Sequence, residues 1–422
     1  MSKYGVAAVM LFLSVFLCGC NSVNSLSIEN GDRYDGAGLI PIFDKSSGKY
    51  GFVDVNGKLV VKCRYDGAGP FYQGFARVKI DGKTGLIDAR GRKVTSCRYD
   101  MIESFIDGLA RVVIGDLFDG AWGFIDSSGN EVIPCKYSFV SSFSEGLAMV
   151  GVGGYETGRY GFIDKAGNVV VPFRYNDVQP FSDGLALVSV DSCGAGSKYG
   201  FIDKSGKEVI PCRYDYSGRF FEGLAGVGLG GKRGYIDKSG NEVIPFKYDA
   251  TYPFCDGLAK VVVGDWETGK YGFVDKAGNE VVPCRYDDAN NFCDGMASVC
   301  LGEKWGFIDK SGCEVVPCKY DKVWNFAEGL AVVELDNRFG FIDKAGNEVI
   351  PCRYRWAWDF SEGLACVRGV DGKCGFIDDT GNEVIPCKYL NAESFSQGLA
   401  RVMQDRKEWF YIDKHGREYV KE

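Results

Sequence analysis

Seventeen cysteines, a single histidine and a run of evenly spaced aspartates are the residues of this 422-residue chain with chemistry to offer. With His415 alone, a His-dependent catalytic dyad or a His-rich metal site is nearly excluded. Asp recurs at 54, 88, 126, 164, 203, 237, 275, 309, 343, 378 and 413, each followed three residues later by Gly. Such a set either closes type I turns or binds Ca²⁺. The copies lack the dense Asp/Asn alternation of calcium loops, so turns are expected. Eight cysteines (63, 97, 135, 212, 284, 318, 352 and 387) share one position, which holds Phe173 and Phe246 in two other copies. A slot that accepts Cys or Phe reads as a buried apolar site with free thiols; a partial disulfide ladder is the alternative. No C-x-x-C argues for metal.

Other catalytic signatures fail on inspection. Gly82-Lys83-Thr84 echoes a phosphate loop, but Arg77 stands where the first Gly is required. Gly228-Leu229-Gly230 continues to Arg233 rather than to a third Gly. Carboxylates are plentiful, as glycoside hydrolysis needs, yet no copy holds a distinctive acid pair. No catalytic residue, metal ligand or cofactor is therefore assigned. A net charge of −8 without basic runs argues against nucleic acid as a partner.

The elements that position these residues are copies of one motif. Segments beginning at Gly51, Gly85, Gly123, Gly161, Gly200, Gly234, Gly272, Gly306, Gly340 and Gly375 read roughly G-F-I-D-K-x-G-N-E-V-I-P-C-[KR]-Y-D, then F-x-[DE]-G-L-A-x-V, at spacings of 34 to 39 residues. Phe-Ile before the Asp turn and Val-Ile after it are strand formers, and Leu-Ala-x-Val makes another strand. Each copy is expected to be a three-stranded antiparallel meander, with the Pro-bearing strand at its edge. Ten Phe from 71 to 395 are expected as plugs between units. The fold class is all-β, a tandem array of ten to eleven such repeats. A solenoid-like superhelix is preferred, because one ring would exceed four to eight propeller blades; propeller-like rings are the alternative.

The first residues read as an address. Val6–Leu17 is apolar, too short to span a bilayer and suited to a signal-peptide core. It ends in Leu17-Cys18-Gly19-Cys20, which resembles the bacterial lipobox; the resemblance implies lipid attachment at Cys20. The expected division is a lipoprotein signal peptide over 1–20, a polar tether over 21–32 and the repeat array over 33–422. The implied location is the bacterial envelope, membrane-anchored.

The repeat itself resembles the WG-repeat family, also called KWG repeats, from about residue 33 onward. The Trp-Gly pair stands at Trp122-Gly123 and Trp305-Gly306, with Tyr50, Tyr160, Tyr199, Tyr271, Phe339, Arg233, Thr84 or Cys374 replacing Trp elsewhere. The resemblance implies all-β repeats, often in exported or surface proteins, and no shared enzymatic chemistry. What varies between copies is the loop before each Gly-Phe. Four are long: Gly115–Ala121, Gly151–Arg159, Asp191–Lys198 and Gly264–Lys270. Equivalent loops of an array share one side, and these carry Phe118, Tyr155 and Trp266, aromatics suited to a sugar ring or a protein hot spot. Trp324, Trp356 and Trp358 form a second cluster. The expected role is a non-enzymatic scaffold for an envelope or surface protein or glycan; a carbohydrate-active enzyme and a passive spacer are the alternatives.

Overall fold

The computed structural model describes residues 39–117, 119–154, 158–192, 196–265, 267–405 and 408–421, and these contain strands and turns with no helix. Nine consecutive segments each form a four-stranded antiparallel meander. We number them sheet I (67–99), II (101–137), III (139–175), IV (177–214), V (216–248), VI (250–286), VII (288–320), VIII (322–354) and IX (356–389). Each contains one strand more than the sequence suggested. The extra strand opens the sheet, as in Lys322–Ala327 of sheet VIII. It escapes a period-two reading because it is broken by a bulge, as between Val323 and Phe326, and shrinks to two residues in sheets III, IV, V, VII and IX. The Pro-bearing fourth strand lies at the opposite edge, as expected.

Two turn chemistries set the register. Between third and fourth strands, the Gly amide of each Asp-x-x-Gly bonds the Asp carbonyl (Gly306's sheet: Gly312 N to Asp309 O, 2.9 Å), and the Asp carboxylate accepts further backbone amides. All eleven aspartates therefore close turns. Between first and second strands, an acid and a glycine both take positive φ, for example Glu145 at 52° and Gly146 at 89°. Two left-handed central residues are the type I′ geometry that follows strand twist. A non-Gly residue there costs about 1–2 kcal/mol, and the acid earns its place through a bond to the next sheet, described below.

The Gly before each Phe has a steric cause. The fourth strand bulges opposite it: Trp305 pairs with Tyr320 while Phe307 pairs with Val316. The bulge presses backbone onto the third strand, so a Cβ at Gly306 would run into the Val316 carbonyl oxygen. The recurring cysteine fills the space this glycine leaves. Its sulfur reaches over to a second-strand carbonyl, Cys318 to Val299 O at 3.6 Å and Cys97 to Val78 O at 3.7 Å. These cysteines are free and half-buried; among the described cysteines only Cys255, outside the repeating position, is in a disulfide.

Both faces of each sheet are apolar, so the core lies between sheets. The Gly-Phe ring of one sheet meets the plug Phe of the next: Phe162 and Phe181 at 4.8 Å between centroids, Phe201 and Phe220 at 4.7 Å, Phe376 and Phe395 at 4.7 Å. The plug reading holds. At the outer edge, the basic residue before each Tyr lies over that ring, as Arg174 does at 5.0 Å from the Tyr175 centroid. Several also reach the next sheet, Lys388 to Glu418 at 2.8 Å and Arg353 to the Gly381 carbonyl at 3.0 Å.

No sheet closes into a barrel, but the array's ends join. Residues 391–421 and 40–65 form one seven-stranded sheet, X, through parallel pairing of Phe43 with Val420 and Asp44 with Lys421. The Tyr50 hydroxyl donates to the Trp409 carbonyl at 2.7 Å, and Tyr411 to Ala68 O at 3.1 Å. Ile40, Val53, Leu399, Tyr411 and Tyr419 bury a small core across the junction. The expected solenoid-like tandem array of all-β repeats is thus observed, with its two ends paired in sheet X.

Two substitutions test this account of the repeat. Gly306→Ala is expected to cost about 2–3 kcal/mol, because its methyl collides with backbone. Trp305→Tyr, at a half-exposed position where other copies carry Tyr, is expected to stay within about 1 kcal/mol. Equilibrium urea unfolding of the two variants beside the parent checks both values.

Candidate functional site

Antiparallel meanders place alternate connections on opposite ends. The type I′ and Asp-x-x-Gly turns share one face, here the turn face. The variable loops and the links between sheets share the other, the loop face.

On the turn face the left-handed acids tie each sheet to the next. Asp183 accepts from Gly223 N at 2.7 Å, Asp256 from Gly295 N at 2.8 Å, and Glu362 from Gly398 N at 2.9 Å. A lysine from the next sheet's Asp-x-x-Gly turn joins them, Lys276 to Glu222 at 2.9 Å and Lys344 to Asp294 at 2.7 Å. These carboxylates are consumed by the fold.

The loop face has its own ladder. Six aspartates after the Tyr (66, 100, 215, 249, 287 and 321) each pair with a lysine 17 residues earlier and accept an amide 15 residues later. Asp321 shows the pattern, with Lys304 at 2.5 Å and Asp336 N at 2.8 Å. Each aspartate bridges the variable loops of two adjacent sheets. The lysine and amide bonds hold all six carboxyls below their ordinary pKa. Lys83, of the phosphate-loop echo, belongs to this ladder: it binds Asp100 at 2.7 Å within a hairpin.

Four links lack the aspartate: Ser138, Asn176, Arg355 and Leu390. The first two stand between sheets II and III and between III and IV, where three of the long loops lie. Sequence comparison of the copies carried this signal, but its meaning needed the pairing geometry. Two of the long loops share a backbone bond and a glycine conformation. Gly120 N bonds Asp116 O, and Gly269 N bonds Asp265 O, both at 2.8 Å, with Gly115 and Gly264 at φ near 100°. Phe118, Tyr155 and Trp266, and Cys20, where lipid attachment is expected, lie outside the described residues. In sheet IV the strands run on into the third loop, pairing Ser192 with Gly196. A cavity of about 900 Å³ opens between sheets I and II, lined by Arg77, Lys79, Met101, Glu103, Asp116 and Leu117.

At the far side of the same face stands the Trp cluster. Trp324 and Trp356 flank Phe339 at 5.6 and 4.7 Å between centroids, and Trp356 meets Trp358 at 6.1 Å. Trp356 is 44% exposed. Phe139 and Tyr216 are exposed at the same register position of sheets III and V. Among the described residues no group of three His, Cys, Asp or Glu side chains could hold a metal ion, and no helix is long and apolar enough to cross a membrane.

With this geometry in place, the family follows. Ten segments, 50–83, 85–118, 122–155, 160–192, 199–232, 234–265, 271–305, 305–339, 339–374 and 375–407, match the WG containing repeat, and the chain belongs to that family. No curated protein matches the chain. Among solved structures it is similar to a eukaryotic initiation factor (10% identity, 88% of this chain and 97% of that one, TM-score 0.46). It is also similar to BamB from Moraxella catarrhalis (12% identity, 75% and 94%, TM-score 0.32). Likenesses at these scores carry no argument about function.

Two expectations follow from the charges and thiols. A carboxyl with a lowered folded pKa stabilises the fold above its unfolded pKa and loses that contribution as pH falls through the folded value. Stability should therefore be level above the ordinary carboxyl value of 3.8 and fall below it. Asp44 at the junction, held to about 2 by its bond to the Ser46 hydroxyl and by Lys421, should be among the last to protonate. Thermal midpoints between pH 7 and 2 check this, and Asp215→Asn should flatten part of the slope. Burial pushes the thiols of Cys135, Cys212, Cys318 and Cys352 up to about 11 and that of Cys387 up to about 12. Thiol labelling at pH 8 should reach exposed Cys293 and Cys313 first and the repeating cysteines only on unfolding.

Proposed function

We propose that this chain is an exported, lipid-anchored WG-repeat scaffold that binds a protein or glycan partner through its loop face and performs no catalysis. One observation carries the binding reading: departures from the repeat gather on the loop face. The turn-face acids recur in eight of ten copies and are bonded into the fold, whereas the loop-face ladder breaks beside three of the four long loops and where the tryptophans cluster. A repeat maintained only as a spacer has no reason to concentrate its exceptions on one face. A hydrolase would need a carboxylate pair free for proton transfer, and the six ladder aspartates are each engaged by a lysine. The anchoring half of the proposal rests on Leu17-Cys18-Gly19-Cys20.

The experiment uses the full chain in cells and in detergent extract. Cys20→Ala should move the protein from the membrane fraction to the soluble fraction, and unchanged partitioning would sink the lipid anchor. Shortening 115–121 and 264–270 to the length of Gly230-Gly231 should abolish retention of a specific envelope component on the immobilised chain, at unchanged thermal midpoint. Retention indifferent to the loops would sink their role in binding.

A further inference from the structure

The loop-face ladder fails at the joint between sheets VIII and IX, and there the charge is reversed rather than merely lost. Arg338 occupies the register of Lys304: it pairs with Leu335 as Lys304 pairs with Leu301. Arg355 occupies the register of Asp321: its amide bonds Arg368 O at 2.9 Å as the Asp321 amide bonds Glu334 O at 2.8 Å. Two cations therefore stand where six other joints hold a lysine and an aspartate in contact. Both are exposed, and among the described residues no carboxylate pairs with either. The nearby Glu334 is taken by Lys322 at 3.0 Å, and Asp371 accepts the Lys373 amide at 3.0 Å. At the following joint, Leu390 replaces the aspartate, so Lys373 too lacks its ladder partner.

Beside these cations lies a braced aromatic surface. Trp356 follows Arg355 directly, is 44% exposed, and rests against buried Phe339 and half-buried Trp358. Val370, in the next loop, is 70% exposed. A flat ring held by other rings loses little entropy on stacking a ligand, and its π face takes the C–H side of a sugar as well as another ring. A guanidinium fork matches a carboxylate in two parallel hydrogen bonds.

We propose that this part of the loop face binds a carboxylate-bearing sugar, a uronate unit of an acidic glycan. Its ring stacks on the Trp356 indole and its carboxylate is held by Arg338 and Arg355, with Lys373 placed for a neighbouring acidic unit. The inference rests on the reading of the loop face as a binding surface and names its ligand. A long phosphate polymer is disfavoured by the chain's net charge of −8. An acidic peptide would seek pockets for its anchoring side chains, whereas the cavities at sheets I and II lie away from this cluster.

The test titrates the full chain with a galacturonic acid tetramer, its methyl ester, inorganic phosphate and a nucleoside monophosphate, read by tryptophan fluorescence and calorimetry. The acid tetramer should bind, and the ester should bind at least about tenfold more weakly. The double variant Arg338→Lys, Arg355→Asp restores the Lys–Asp pair of the other joints, so it should fold with an unchanged thermal midpoint yet bind at least about tenfold more weakly. Trp356→Ala should lose most of the fluorescence change. Equal binding of acid and ester, a preference for the nucleotide, full affinity in the double variant, or no tetramer binding at millimolar concentration would each overturn the assignment. The variant with shortened 115–121 and 264–270 separates the two readings. If it loses an envelope partner while the parent ignores uronate, the scaffold stands and this site falls.

Discussion

Each four-stranded sheet carries apolar side chains on both faces, and in water neither face can be left open. Everything else follows from satisfying that requirement sheet after sheet. One Phe from the Gly-Phe strand and one from the opening strand of the next sheet fill each gap. The two end sheets of an open stack would expose a face each, which here the shared sheet X removes. The few bonds that close the junction, from Tyr50, Tyr411 and Lys421, act on elements already packed against their neighbours.

Polar chemistry on this scaffold is mostly assigned to keeping sheets in register. Turn-face acids accept amides from the neighbouring sheet, loop-face aspartates bridge successive loops, and the Arg or Lys over each tyrosine clamps the outer edge. Most of these pairs are exposed, so each contributes about 0–1 kcal/mol. Their value is positional. They fix how one sheet sits on the next, and a missing pair changes a surface without removing the core. That is why Arg338 and Arg355 can stand where an ion pair would otherwise be. The Phe341–Phe360 contact and the packing of half-exposed Trp356 on buried Phe339, and not the lost bridge, hold sheets VIII and IX together there.

The cysteines show how steric need can imitate chemistry. Eight thiols at one recurring position invite a disulfide reading. The structure instead ties them to the glycine that the bulge demands: where the third strand has no side chain, a small side chain from the fourth strand covers it. Phe173 and Phe246, at the same position, pack on Tyr137 and Tyr214 of the preceding sheets. Desolvation then holds the thiols protonated, so the position is an unreactive use of cysteine.

The all-β class, the Asp-x-x-Gly turns, the Pro-bearing edge strand, the Phe plugs and the repeat period were legible in the residues, because turn chemistry and strand alternation are local and every copy restates them. The opening strand was not, since two residues and a bulge leave no period to read. The candidate site was half legible. The long loops and the tryptophans stand out from the repeat, yet nothing in one dimension shows that position 338 faces position 355. Whether the array stays open was likewise beyond the sequence. It depends on the angle accumulated over ten sheet-to-sheet packings, a quantity no single copy contains, and only the pairing of Phe43 with Val420 decides it.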